Sequence, residues 1–168
     1  MPNMHPSQNL AKALNPVVPI VGWQLPNSYE FTLGVFVGKW ITQGTIRATE
    51  DSAASEMRAI DQYEWLPGSF FMLHRVDAQI AGSVSQSIEV IGYDPEQDCY
   101  VTRSYDDQGT SEGFTARLKG QAWLIDGEKV RFKGAFNADG SVLADTWEQR
   151  SGKGRWRPWM DIELRKFT

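Results

Sequence analysis

The chain is poor in the residues that most often carry chemistry. It has one cysteine, Cys99, in 168 residues, so no disulfide can form within it, which fits a reducing compartment. It has two histidines, His5 and His74. A zinc site would need Asp or Glu to complete its ligand set, and no ligand-type spacing is present. No metal and no cofactor are expected. Long apolar runs are missing too. Val17 to Val21 is short and interrupted by Pro19, and nothing approaches the roughly 20 apolar residues of a membrane helix. Met1 to Pro16 is polar, carries three prolines and has no apolar core of an export signal. The expectation is a soluble, cytoplasmic protein with no membrane partner.

Basic charge is scarce as well. Seventeen Lys and Arg stand against 21 Asp and Glu, a net charge of -4, which leaves no electrostatic footprint for nucleic acid. The one basic-aromatic cluster, Lys153, Arg155, Trp156, Arg157 and Trp159, follows the turn Ser151-Gly152-Lys153-Gly154 and reads as a hairpin and its strand. No Gly-rich phosphate loop opens a helix, no serine lies in Gly-x-Ser-x-Gly, and the paired carboxylates Asp106-Asp107 read as turn residues.

Aromatic side chains and turn punctuation are plentiful. Seven Trp, five Tyr and eight Phe favour strands and fill β-barrel interiors. From Lys39 onward, Gly, Asp, Asn and Pro recur at strand-length intervals, and Asp126-Gly127 and Asp139-Gly140 suggest type I′ hairpins. Ten strands are predicted, near 39–48, 56–66, 69–79, 84–93, 99–105, 112–118, 121–125, 129–137, 142–150 and 156–167. Short connections between them favour an antiparallel meander, and closure into a barrel removes its exposed edges. Residues 1–37 read as an arm. Ser7 to Leu14 forms a short helix, and a second one, starting near Asn27 or Ser28 and carrying Leu33 and Phe36, plugs one barrel end. Residues 38–168 read as the barrel.

Several stretches resemble one family in order and spacing. The opening Gly38-Lys39-Trp40 is similar to the first-strand signature of the calycin superfamily, which includes lipocalins and fatty-acid-binding proteins. Trp65-Leu66-Pro67-Gly68-Ser69-Phe70-Phe71, Ile91-Gly92-Tyr93-Asp94, Tyr105-Asp106-Asp107-Gln108-Gly109, Phe136-Asn137-Ala138-Asp139-Gly140 and Trp147-Glu148 follow. Together, over residues 33 to 167, they resemble a bacterial lipocalin-like family of uncharacterised function. The resemblance implies an all-β barrel whose first-strand Trp40 packs against a basic residue of the last strand, Arg165 or Arg157, closing one end with Gly38. Pro67 stands where a glycine is expected, which stiffens that turn. Haem-carrying barrels of related architecture use a C-terminal histidine that this chain lacks.

Strand alternation proposes the interior. Tyr63 and Trp65 share a face, as do Phe70, Met72, His74 and Val76. Glu89, Ile91 and Tyr93 share another, as do Val101, Arg103 and Tyr105. Val130, Phe132, Gly134 and Phe136 form an apolar face, and Trp147 lies on a mixed one. If these faces point inward, they enclose a site for a small hydrophobic or amphipathic molecule. Tyr63, Trp65, His74, Glu89, Arg103, Tyr105 and Trp147 are then the candidate ligand-binding residues. An inward Arg103 beside Tyr105 would take an anionic head group; an outward one would face solvent, and Glu89 is the acid that would neutralise it. The rival reading is an isomerase, cyclase or lyase using the same cavity, with His74 as its acid-base group. A third is a barrel filled by its own aromatics. Phe70-Phe71-Met72-Leu73 is apolar on both faces, so its outer side calls for cover by the arm or by a second copy of the chain in a homodimer.

Overall fold

Ten antiparallel strands close into one barrel. A computed structural model describes residues 32–167. The expected helix over Ser7 to Leu14 and most of the arm lie outside them. The strands are β1 (Gly38–Ile46), β2 (Ser55–Trp65), β3 (Phe71–Ile80), β4 (Ser83–Asp94), β5 (Cys99–Asp106), β6 (Ser111–Lys119), β7 (Ala122–Asp126), β8 (Val130–Phe136), β9 (Val142–Gln149) and β10 (Arg157–Lys166). Each pairs with its sequence neighbours, and β1 pairs with β10 from Trp40↔Lys166 to Ile46↔Met160. The predicted meander and its closure hold, so none of the described strands keeps an open edge for pairing with another chain.

The turns differ in kind from the expectation. Ala81 and Gly82 both take positive φ, 51° and 84°, between Ile80 and Ser83. That is the two-residue type I′ geometry, in which Ala81 is strained and Gly82 is not. Asp126-Gly127 and Asp139-Gly140 do sit in hairpins, but in longer loops. The Gly127 N–H donates to the Val130 carbonyl, and the Gly140 N–H to the Asn137 carbonyl. At Pro67, the Ser69 N–H donates to the Leu66 carbonyl and Gly68 takes φ 92°, a type II turn with proline and glycine at its central positions.

A short 3-10 helix, Leu33–Phe36, precedes β1 and plugs one end. The expected start near Asn27 or Ser28 lies outside the described residues. Phe36 is 2% exposed; its ring meets Tyr63, Trp123 and Phe136 at centroid distances of 4.9, 5.1 and 5.1 Å. Burying such a side chain contributes about 2–3 kcal/mol. Trp40, directly after the plug, is wholly buried, and its indole N–H donates to the Phe36 carbonyl at 2.6 Å.

The basic residue over Trp40 is Lys166, in place of Arg165 or Arg157. Its Nζ lies 5.0 Å from the indole centroid and donates to the Val35 carbonyl at 2.7 Å. Alternation on β10 explains the difference. Lys166 shares the inward face with Leu164, whereas Arg165 points out, where its guanidinium pairs with Glu163. Arg157 is exposed at the other end of the strand.

Phe70 and Phe71 are half exposed, while Met72 is in the core. The Phe71 ring lies on Gly92 of β4, where a Cβ would come within 2.5 Å of it. The covering role assigned to the arm falls outside the described residues. Among the described residues, no helix is long and apolar enough to cross a membrane.

Candidate functional site

Behind the plug the barrel is hollow. A cavity of about 340 Å³ is walled by Phe114, Ile125, Phe132, Trp147, Trp159 and Met160, among others. Ten strands give a wider interior than an eight-stranded barrel, whose side chains just fill it. Gly134 helps, since a Cβ there would collide with the Phe132 ring at 2.3 Å. A register shift between Pro158 and Met160 is a bulge, and it brings consecutive residues, Trp159 and Met160, to the same cavity.

One polar cluster interrupts this apolar wall. Register places Tyr63 of β2, His74 of β3 and Glu89 of β4 side by side across three strands. His74 Nδ1 lies 3.1 Å from Glu89 Oε2, and its Nε2 lies 2.8 Å from Asp61 Oδ1. Asp61 is 5% exposed, and its Oδ2 accepts a 2.5 Å hydrogen bond from the Thr42 hydroxyl. The imidazole stacks on the Tyr63 ring at 3.9 Å. With a carboxylate at each nitrogen, the ring must carry both protons, because a bare nitrogen would face an anionic oxygen. Burial pulls the imidazole pKa down, but the hydrogen bonds and charges of Asp61 and Glu89 outweigh it and raise it to about 9. Burial, then the Asp61 and Glu89 charges, push the Tyr63 phenol well above its ordinary range.

The cluster therefore holds an imidazolium between two carboxylates. Such a ring has no free lone pair, so it is not a general base as it stands, and both its N–H groups are committed. The imidazole lies between the carboxylates rather than beside them; among the described residues no group of three or more His, Cys, Asp or Glu is placed to hold a metal ion.

Of the residues proposed from sequence, Tyr63, His74, Glu89 and Trp147 line this cavity. Trp65 shares the face of Tyr63 but lies past the plugged end and is 37% exposed. Arg103 and Tyr105 are on the outside. The face of β5 that turns inward carries Thr102, 6% exposed, and not Val101, Arg103 and Tyr105. Glu89 pairs across the strands with Ser104, while Arg103 lies opposite Val90, so Glu89 does not neutralise Arg103. No lysine or arginine is among the described residues lining the cavity, and the anionic head group expected from Arg103 loses its partner. Sequence reasoning missed Thr42, Asp61 and Thr102. Asp61 was accessible, being two residues from Tyr63 on the same face.

Other features resolve into structure. The guanidinium groups of Arg131 and Arg150 lie over the Trp156 ring, at 4.5 and 4.4 Å, which gives Trp156 of the basic-aromatic cluster a packing role. A second hollow of about 390 Å³, at Gly44 between β1, β2 and β10, is open to solvent. Its charged groups are already paired, Arg58 with Glu56, Asp161 with Arg47 and Glu163 with Arg165.

The family described as "Protein of unknown function (DUF1579)" matches residues 26–134. The chain belongs to that family. The match covers the plug, the whole polar cluster and β1 to β7. No curated protein matches. Among solved structures, this DUF1579 member is similar to the crystal structure of Rv2717c from M. tuberculosis, at 11% identity and a TM-score of 0.56, over 81% of this chain and 95% of that one. That likeness concerns the fold. A de novo designed fluorescence-activating β-barrel matches at 13% identity and a TM-score of 0.43, over 79% of this chain and 94% of the design.

Proposed function

We propose that the barrel binds a small, mostly apolar molecule bearing one polar group, held in the cavity behind the plug. The observation that carries this reading is the combination of an unfilled apolar interior with a single buried polar cluster, Thr42–Asp61–His74–Glu89. Apolar walls supply most of the affinity and a few convergent polar groups set orientation, which is the usual make-up of a small-molecule site. The lipocalin-like pattern of Gly38-x-Trp40 and its companions supports the same reading. Binding is favoured over acid-base catalysis because both nitrogens of His74 are engaged.

The test is a fluorescence titration with the uncharged dye Nile red, on the wild-type protein and on Ile125→Trp, which fills the cavity. Saturable 1:1 binding that is lost in the folded Ile125→Trp variant is the expected result. Equal, non-saturating signals from both proteins would sink the reading.

A further inference from the structure

The polar cluster is not electrically balanced. One imidazolium lies between two carboxylates, which leaves one excess negative charge in a largely apolar chamber. The lining holds no lysine or arginine among the described residues, and its further carboxylate, Glu112, is exposed to solvent. A buried charge without a counter-ion is costly unless a partner arrives.

Two atoms show where that partner would sit. Glu89 reaches His74 through Oε2, and Oε1 makes no hydrogen bond among the described residues. Thr102 Oγ1 is buried and has no hydrogen-bond partner among the described residues. Such an orphan is uncommon in a folded protein. Thr102 lies on the inner face of β5 opposite Ile91, and Glu89 lies opposite Ser104. The two side chains are thus diagonal neighbours on one wall, a separation of about 7–8 Å between backbone positions. A turn of the Thr102 side chain about its Cα–Cβ bond would let a single donor group reach both. Trp147 and Phe132, whose ring centroids lie 5.2 Å apart, add aromatic surface to the lining.

Resting on the binding function proposed above, we infer that the ligand class is a lipophilic primary amine, bound as its ammonium ion. The ammonium donates to Glu89 Oε1 and to the Thr102 hydroxyl oxygen, and its hydrocarbon part lies along the apolar walls. It supplies the positive charge that the chamber lacks and the partner that Thr102 lacks.

The experiment is a calorimetric titration at neutral pH with three probes that share one chain: n-octylamine, n-octanol and n-octanoate. The amine is expected to bind about tenfold to a hundredfold more tightly than the alcohol, the range for a charge-assisted hydrogen bond, and the carboxylate most weakly. Thr102→Val should narrow the gap between amine and alcohol, and Glu89→Gln should abolish it, in each case because the amine loses more affinity than the alcohol. Circular dichroism establishes that each variant is folded. Thr102→Val keeps the test decisive if Glu89→Gln is not. If the alcohol binds as tightly as the amine, or the carboxylate best, the amine inference is overturned while the cavity reading stands. If none of the three binds the wild-type protein, the binding function itself fails, and the inference with it.

Discussion

The imidazole of His74 lies nearly flat on the ring of Tyr63, with centroids 3.9 Å apart and planes inclined by 9°. The stack and the two carboxylates act on the same charge. Asp61 and Glu89 hold the proton, and the aromatic face beneath it favours a cation over a neutral ring. The result is a charged group fixed in the middle of an apolar barrel, with its orientation set by three strands.

That charge makes stability depend on pH. The folded-state pKa of His74 is raised to about 9, above the unfolded value near 6.5. Its contribution is therefore complete below about pH 6.5, erodes as pH rises, and is gone above about pH 9. It amounts to at most about 3 kcal/mol. Urea unfolding across this window should show the midpoint falling with pH in the wild-type protein. The His74→Gln variant should be less stable at neutral pH and should lack this decline. A wild-type midpoint that stays level from pH 6.5 to 9 would show that His74 is neutral when folded. In Asp61→Asn, the His74 pKa measured by NMR should fall below that of the wild type.

At the plugged end, Lys166 and Arg165 are adjacent in sequence and opposite in role. Lys166→Met removes the cation over Trp40 and the hydrogen bond to Val35, at a cost of about 1–2 kcal/mol. Arg165→Ala touches only an exposed pair with Glu163 and should change stability by less than about 0.5 kcal/mol. Parallel denaturation curves distinguish them, and equal losses would contradict the geometry.

Thr102→Val replaces a buried hydroxyl that has no partner among the described residues with a methyl group of similar size. The ligand-free protein should gain about 1 kcal/mol, since the unmet desolvation of the hydroxyl disappears. A rise of a few degrees in Tm checks this. A clear drop would mean that the hydroxyl is satisfied in solution.

Much of the fold is legible in the chain because local rules decide it. Val130, Phe132, Gly134 and Phe136 alternate with Arg131, Lys133 and Ala135, so β8 declares both its conformation and its inner face. The turn residues punctuate ten such runs, and a meander of that length with no helical cover has to close. Even the plug was signalled, by Leu33 and Phe36 just before Gly38-Lys39-Trp40. The candidate site was half legible. His74 stands out as the only histidine beyond the N-terminal tail, and Tyr63, Glu89 and Trp147, grouped by period, line the cavity.

What escaped the sequence was decided between strands. Alternation divides β5 into two faces but does not say which turns inward; only the closed barrel chooses Thr102 over Arg103. Nor does local pattern show that His74 reaches Glu89 and Asp61, because those pairings depend on the register of β2, β3 and β4. Residue order alone determined an all-β meander with an aromatic interior. Tertiary structure alone decided that the chamber is acidic, that Lys166 rather than Arg165 covers Trp40, and that the buried Thr102 hydroxyl has no partner among the described residues. Side-chain period is a property of a single strand, whereas charge balance and burial belong to the closed barrel.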